Sequence, residues 1–150
     1  MLFLLFQVND ESYAVDVREV TEVVPRVKLR SIPKAPAYVA GLLNYRGDSV
    51  PVLDLCVLLH DRKCAAVYSS RIVLVKYPDA LGAKRVLGLL AEQVTDTLQC
   101  EAADFQPSTL VHTSAPYLRE VTTHRDHLVQ RVEVSALLAH EVQALLFQAF

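Results

Sequence analysis

Gly41-Leu42-Leu43-Asn44-Tyr45-Arg46-Gly47-Asp48-Ser49-Val50-Pro51-Val52-Leu53-Asp54-Leu55 reads as two apolar strands joined by a tight turn. Asn and Gly around Tyr45 to Asp48 suit the left-handed backbone such a turn needs. Pro51 inside the second strand points to a sheet edge or a bulge, because proline cannot donate to a ladder. Asp54 then stands before Leu55 to His60, a short apolar run that reads as a helix with Asp54 as its N-cap.

Working outward, the same pattern occurs twice. Leu2 to Val8 and Arg71 to Tyr77 are short apolar runs. Each leads through a turn, Asn9 to Ser12 or Pro78 to Lys84, into a second run, Tyr13 to Val17 or Val86 to Ala91. These are hairpin signals. Ala14, Val15, Val20, Thr21, Glu22 and Val24 align with Gly88, Leu89, Val94, Thr95, Asp96 and Leu98. Tyr38-Val39 aligns with Tyr117-Leu118. Val50, Leu53, Asp54, Leu55, Leu58 and Leu59 align with Val129, Val132, Glu133, Val134, Leu137 and Leu138. Val17, Val20 and Val24, like Val94 and Leu98, have three- and four-residue spacings that predict a short helix or turn in each copy. Arg26, Lys28, Arg30 and Lys34, alternating with Val27, Leu29 and Ser31, predict a strand with one charged face. Ser135 to Phe150 predicts a closing helix with Ser135 as N-cap and Leu137, Leu138, Val142, Leu145 and Leu146 on one face.

A repeat this strand-rich cannot bury both faces of each half alone, so two small barrels packed on each other are expected, with strands free to exchange between them. The expectation is a single domain over residues 1–150, its repeats spanning about 1–68 and 69–150.

Composition bounds the function. The 150 residues are 52% hydrophobic and 21% charged, with a net charge of −2 and no tryptophan. That excludes disorder and gives no electrostatic footprint for nucleic acid. The three cysteines are an odd count without a C-x-x-C pair, which predicts neither a disulfide scaffold nor a cysteine zinc site and fits a reducing cytosol. The apolar start, Met1 to Phe6, has no basic flank and meets Asn9, Asp10 and Glu11 at once. It reads as a buried strand in a protein that is not membrane-inserted. His124-x-x-His127 has no third ligand at a fixed spacing. No phosphate loop, dinucleotide fingerprint or nucleophile elbow is present, so no catalytic residue, cofactor or metal is assigned.

The segment Pro36 to Leu55 resembles the CheW family of bacterial chemosensory adaptors. The family's Asn-Leu-Arg-Gly motif stands here as Asn44-Tyr45-Arg46-Gly47, followed by Val50-Pro51-Val52-Leu53-Asp54-Leu55. Gly88 to Val94, Tyr117-Leu118 and Val132-Glu133-Val134 with Leu137-Leu138 extend the resemblance over residues 2 to about 140. It implies a mainly β fold of two SH3-like five-stranded barrels with short helices and a C-terminal helix. It implies a non-enzymatic, free-standing adaptor in the cytoplasm, recruited to membrane receptor arrays. Its implied partners are the regulatory domain of a CheA-type histidine kinase and the cytoplasmic tip of a methyl-accepting chemoreceptor. Four departures stand out: Tyr45 for leucine, Cys56 where arginine often follows Asp-Leu, Glu120 for glycine, and Gln130-Arg131 in a strand that is usually apolar.

On residues alone, Arg46 is either a solvated turn arginine or a fork of donors for a partner's carboxylate. Asn44, Tyr45 and Gly47 present it. Asp54 is a contact or a helix cap. Val15, Val17, Leu42 and Val50 are candidates for a partner-facing edge, although core and interface strands look alike in sequence. The basic run at 26–34 is a solvated face or an attraction for an acidic helical tip or an anionic membrane. The competing function class is a small-barrel module for a ligand or an oligonucleotide, which predicts a basic groove with stacking aromatics.

Overall fold

A computed structural model describes residues 1–78, 82–107 and 115–147. Among the described residues nine strands form: β1 (Leu2–Val8), β2 (Glu11–Asp16), β3 (Val20–Pro25), β4 (Val39–Tyr45), β5 (Asp48–Asp54), β6 (Arg71–Pro78), β7 (Lys84–Gln99), β8 (Leu118–His124) and β9 (His127–Val132). Two short helices accompany them, α1 (Leu55–His60) and α2 (His140–Leu146). The strand order β3-β6-β7-β1-β2-β9-β8, with β5 joining β7 and β4 joining β5, resolves into two five-stranded units that share β7. Gln93, with φ of 51°, breaks β7 between them. Its first half pairs with β6 and β5, and its second half with β1. This is the mainly β architecture expected.

The repeat recurs in three dimensions. Asp54 N–H donates to Tyr38 O at 2.7 Å, and Glu133 N–H donates to Tyr117 O at 2.7 Å. Val52 aligns with Gly88 in the parallel β5–β7 pair, just as Arg131 aligns with Ala14 in the parallel β9–β2 pair. The first hairpin of each half sits in the other half's sheet: β1–β2 joins β8 and β9, while β6 and the start of β7 join β3, β4 and β5. A hairpin that completes its neighbour's sheet explains why neither half reads as self-sufficient.

β1 and β2 are the wall between two cores. Phe6, Val8, Tyr13 and Val15 face the large cluster with Leu53, Ile72, Leu74 and Leu89. Phe3 and Ala14 face a small one with Leu98 and Val129. Both faces of this hairpin are therefore buried, which gives its near-continuous apolar run. Stacking of Phe147 on Tyr77, with ring centroids 5.6 Å apart, seats the chain just after α2.

Four local expectations are corrected. Val20 to Pro25 and Val94 to Leu98 are strands, not helices. Only Val17–Glu19 forms a helical turn, and the β-branched run after it alternates in burial along β3. The basic run makes no strand, only the single bridge of Arg30 to Leu42. The closing helix starts at His140. Ser135 lies in a 3-10 turn, its hydroxyl bonded to Glu133, while Leu137 and Leu138 are buried before the helix begins. Residues 148–150 of that expected helix lie outside the described residues. Pro51 is buried in β5 and pairs with β4, but it precedes the β7 ladder, which takes up only Val52 to Asp54, so the edge reading holds locally. Leu42, its register partner, turns its N–H and C=O to Arg30 at 2.7 and 3.0 Å. The Leu42–Pro51 pair is thus a non-hydrogen-bonded one, and proline's missing donor leaves no gap there.

The same bridge constrains Gly41. Its φ is +147°, and a Cβ there would lie 2.5 Å from Arg30 O. Gly41→Ala is expected to cost about 2 kcal/mol through strain and steric clash, measured by urea denaturation. Unchanged stability would show that the 29–30 segment is not fixed against β4.

Candidate functional site

The Arg46 site is built on a left-handed turn. Arg46 (φ 51°) and Gly47 (φ 87°) are its central residues, between Tyr45 and Asp48, which pair in register. Such a two-residue turn matches the twist of its strands and lifts both central residues clear of the sheet. The Arg46 side chain is 74% exposed. Its Nη2 lies 3.4 Å from Glu22 Oε1 on β3, and its guanidinium carbon lies 5.1 Å from the Tyr45 ring centroid. The Glu22 carboxylate beside the Tyr45 hydroxyl raises that group's pKa above the ordinary phenol value. Asn44 and Gly47 are exposed with it.

The second half repeats this arrangement. Arg125 (φ 50°) and Asp126 (φ 64°) form the turn between His124 and His127, and Arg125 Nη1 lies 4.0 Å from Asp96 Oδ2. Glu22 and Asp96 are aligned positions, as are Arg46 and Arg125 in their hairpins. The two turn arginines thus bear on equivalent acids of two strands, β3 and β7. A crevice of about 270 Å³ between the sheets is lined by Leu4, Val23, Arg71, Val94 and Asp96 on those strands and their neighbours. The alignment could have revealed both acids as partners, since each has an arginine in the later hairpin of its own half.

Asp54 is 5% exposed. Its Oδ1 accepts from the N–H groups of Cys56 (2.9 Å) and Val57 (3.2 Å), and its Oδ2 accepts from Cys64 N–H (3.2 Å). Of its two readings, the structure shows the cap. Its counterpart Glu133 makes no such cap, because its carboxylate receives Arg119 at 2.8 Å and the Ser135 hydroxyl at 3.3 Å. That difference explains a full helix turn after Asp54 and only a 3-10 turn after Glu133.

Val15 and Val50 are 0% and 3% exposed and belong to the core, so they offer a partner no surface. Val17 and Leu42 are half-buried. The exposed large apolar side chains include Val23, Val27, Val67, Leu128 and Tyr68, the last 99% exposed. Sequence patterning passed over these because they stand at loop and turn positions or on an edge strand.

One expectation about cysteines is overturned: Cys56 and Cys64 are bonded as a disulfide. The absence of a C-x-x-C pair hid it, because the partner lies beyond the helix end, where Asp61 (φ 56°) turns the chain back. Asp54, Cys56 and Cys64 also bring ligand atoms within 4.8 Å of one another. Both Asp54 oxygens are taken by backbone donors and the sulfurs by each other, so this donor set is spent on structure.

A groove of about 570 Å³ opens beside this bond, lined by Arg26, Lys28, Lys63, Asp54, Val57 and Leu90 among others. Lys63 on its wall belongs to the 61–70 segment, which Glu92 anchors. That carboxylate accepts from Arg62 at 2.7 and 3.1 Å and from Ala65 N–H at 2.7 Å, and the arginine holds it below the usual carboxylate range.

Set against known proteins, residues 2–142 match the CheW-like domain family. The chain belongs to the CheW-like family. This CheW-like chain is 25% identical over 145 residues to a chemotaxis protein CheW of Klebsiella aerogenes, covering 95% of this chain and 84% of that one. It is 32% identical over 105 residues to the chemotaxis protein CheW of Rhizobium meliloti, covering 70% and 64%. It is 31% identical over 99 residues to the protein FrzA of Myxococcus xanthus, covering 64% and 62%. The crystal structure of the scaffolding protein TtCheW from Thermoanaerobacter tengcongensis shares the fold, with a TM-score of 0.79 and 24% identity over 89% of this chain and 84% of that one.

Proposed function

We propose that this CheW-like chain is a non-enzymatic chemotaxis adaptor that couples a membrane chemoreceptor to a CheA-type histidine kinase. The observation that carries the proposal is the Asn44-Tyr45-Arg46-Gly47 turn, which holds an exposed arginine beside the crevice-walling strand β3 in a chain of this family. The receptor's cytoplasmic tip would lie in the crevice between the sheets, near Arg46. The Arg26-to-Lys34 segment leaves the end of β3 and would attract an acidic helix. The kinase regulatory domain would bind the first hairpin's sheet. Coupling is then linkage: each partner changes the other's affinity through one rigid body. Among the described residues, no helix is long and apolar enough to cross a membrane. An oligonucleotide-binding module is not favoured, since the family match points to chemotaxis.

The test is binding of the purified chain to the receptor cytoplasmic fragment and the kinase regulatory domain encoded beside it. Micromolar binding to each and a ternary complex are expected. Failure to bind either partner at micromolar concentration would sink the proposal.

A further inference from the structure

We propose that Cys56 and Cys64 are a reversible thiol–disulfide site whose state sets how firmly the segment around Cys64 holds Lys63 on the wall of the basic groove. The consequence for partner affinity rests on the adaptor reading above; the site itself does not.

The geometry supports two closed states rather than one. The two Cα atoms are 5.3 Å apart, a separation that a disulfide spans without backbone movement. Both side chains are buried, but they sit on unequal supports. Cys56 lies in the first turn of α1. Cys64 lies in a stretch with neither helix nor strand, the kind of segment that opens locally at low cost. Three contacts hold that stretch without any help from the sulfurs: Cys64 N–H on Asp54 Oδ2, Ala65 N–H on Glu92 Oε2, and Arg62 on Glu92. Reduction therefore loosens the segment without undocking it. The new thiol also has a partner in place, since Cys64 Sγ is 3.4 Å from Leu90 O. The groove feels the change directly. Lys63 and Val57, on its wall, are the chain neighbours of Cys64 and Cys56, and Leu90 lines it as well.

The co-reactant is a low-molecular-weight thiol or its disulfide. A thiolate RS⁻ attacks Cys64 Sγ. The Cys56–Cys64 bond breaks, a mixed disulfide forms on Cys64, and the Cys56 thiolate takes up the proton released by the reagent. A second RSH displaces the Cys64 sulfur as RSSR leaves. Overall two RSH reduce one protein disulfide to two thiols, and RSSR drives the reverse. In a reducing compartment such a bond is transient and reports on redox state.

The full chain equilibrated across glutathione ratios, then quenched by alkylation and weighed intact, tests this. Reduction is expected to add two alkyl groups to those taken by Cys100, reversibly and without denaturant, with the far-ultraviolet circular dichroism unchanged. Hydrogen exchange at the Cys64 and Ala65 amides should run about tenfold faster in the reduced protein. Cys64→Ser should match the reduced rate, and wild type in dithiothreitol supplies the same readout should that variant fold poorly. A pair that stays reduced at the oxidised extreme, a bond that yields to dithiothreitol only on unfolding, or equal exchange in both states would overturn the proposal. Affinity for the receptor fragment should differ about fivefold between the states. Equal affinity would overturn the regulation and leave the adaptor standing, whereas a working thiol titration with no partner bound in either state would remove the adaptor instead.

Discussion

Replacing Asp54 by alanine is expected to lower unfolding stability by about 3 kcal/mol, measured by urea denaturation in the presence of a thiol. The magnitude comes from two separate losses. The first is the α1 cap, worth about 1 kcal/mol in most contexts and up to about 2 in some. The second is the Cys64 N–H, which has Asp54 Oδ2 as its acceptor; a buried donor left without one costs about 1–3 kcal/mol. For a chain of this length the sum corresponds to a fall in melting temperature of about 10 °C. Asp54→Asn separates the two losses. Its carbonyl oxygen can still cap Cys56 and Val57, but its amide nitrogen would face the Cys64 donor. It should therefore retain about half of the stability lost by the alanine variant. Equal losses for both variants would mean that the charge, not the bonding pattern, matters at this position.

Asp54 also shows what the sequence can and cannot carry. The cap on Leu55–His60 was legible because it is local: an Asp before an apolar run has one dominant use. The second bond, to Cys64, joins the cap to a segment ten residues on, and no periodicity marks that. The same division runs through the fold. Hairpins and the doubled pattern are short-range signals, and both were readable. The exchange of first hairpins between sheets depends on the bend at Gln93, where one strand serves two sheets. Nothing in an apolar run announces a mid-strand bend at a polar residue. Val15 and Val50 failed as edge residues for a related reason. Val15 lies on the β1–β2 wall with cores on both sides, and Val50 opens a run of five buried residues in β5, so burial follows simple alternation in neither strand.

The departures from the family pattern become intelligible once the contacts are known. Glu120 and Arg131 depart together and pair with each other, Arg131 Nε donating to Glu120 Oε2 at 2.8 Å. That guanidinium draws the Glu120 carboxyl below the ordinary range. Gln130 donates to Arg119 O across the same two strands at 3.3 Å. Cys56 gains Cys64, and Tyr45 places its ring near Arg46, with its hydroxyl under the influence of Glu22. Each unusual residue has thus acquired a partner within the chain. The polar substitutions in β9 form a cross-strand pair of a kind that sheets tolerate at little cost. The changes at Tyr45 and Cys56 are different. They sit against the exposed arginine and the basic groove, where the proposed partners would touch.

Arg46→Glu is accordingly expected to weaken partner binding about thirtyfold or more, about 2 kcal/mol, with stability unchanged within about 0.5 kcal/mol. Stability should hold because the exposed Arg46–Glu22 pair, at 3.4 Å, contributes little in water. Binding should fall because burying an arginine fork against a carboxylate makes it a hot spot, and reversal adds repulsion. A swap distinguishes direct contact from an internal role. In Glu22→Arg/Arg46→Glu the ion pair is restored with its polarity inverted. If Arg46 acts by fixing β3 through Glu22, the swap should bind like wild type. If Arg46 meets the partner itself, the swap should remain as weak as the single variant, and that is the expected result by calorimetry at fixed salt. Arg125→Glu provides the comparison within the same molecule. Its acid, Asp96, lies at 4.0 Å, and its turn has Asp126 where the first has Gly47. The added carboxylate beside Arg125 makes that turn a poorer seat for an acidic helix than Arg46-Gly47, so its reversal should cost the receptor fragment less. An equal cost would mean that both turns face the partner, and that the repeat supplies two contact points rather than one.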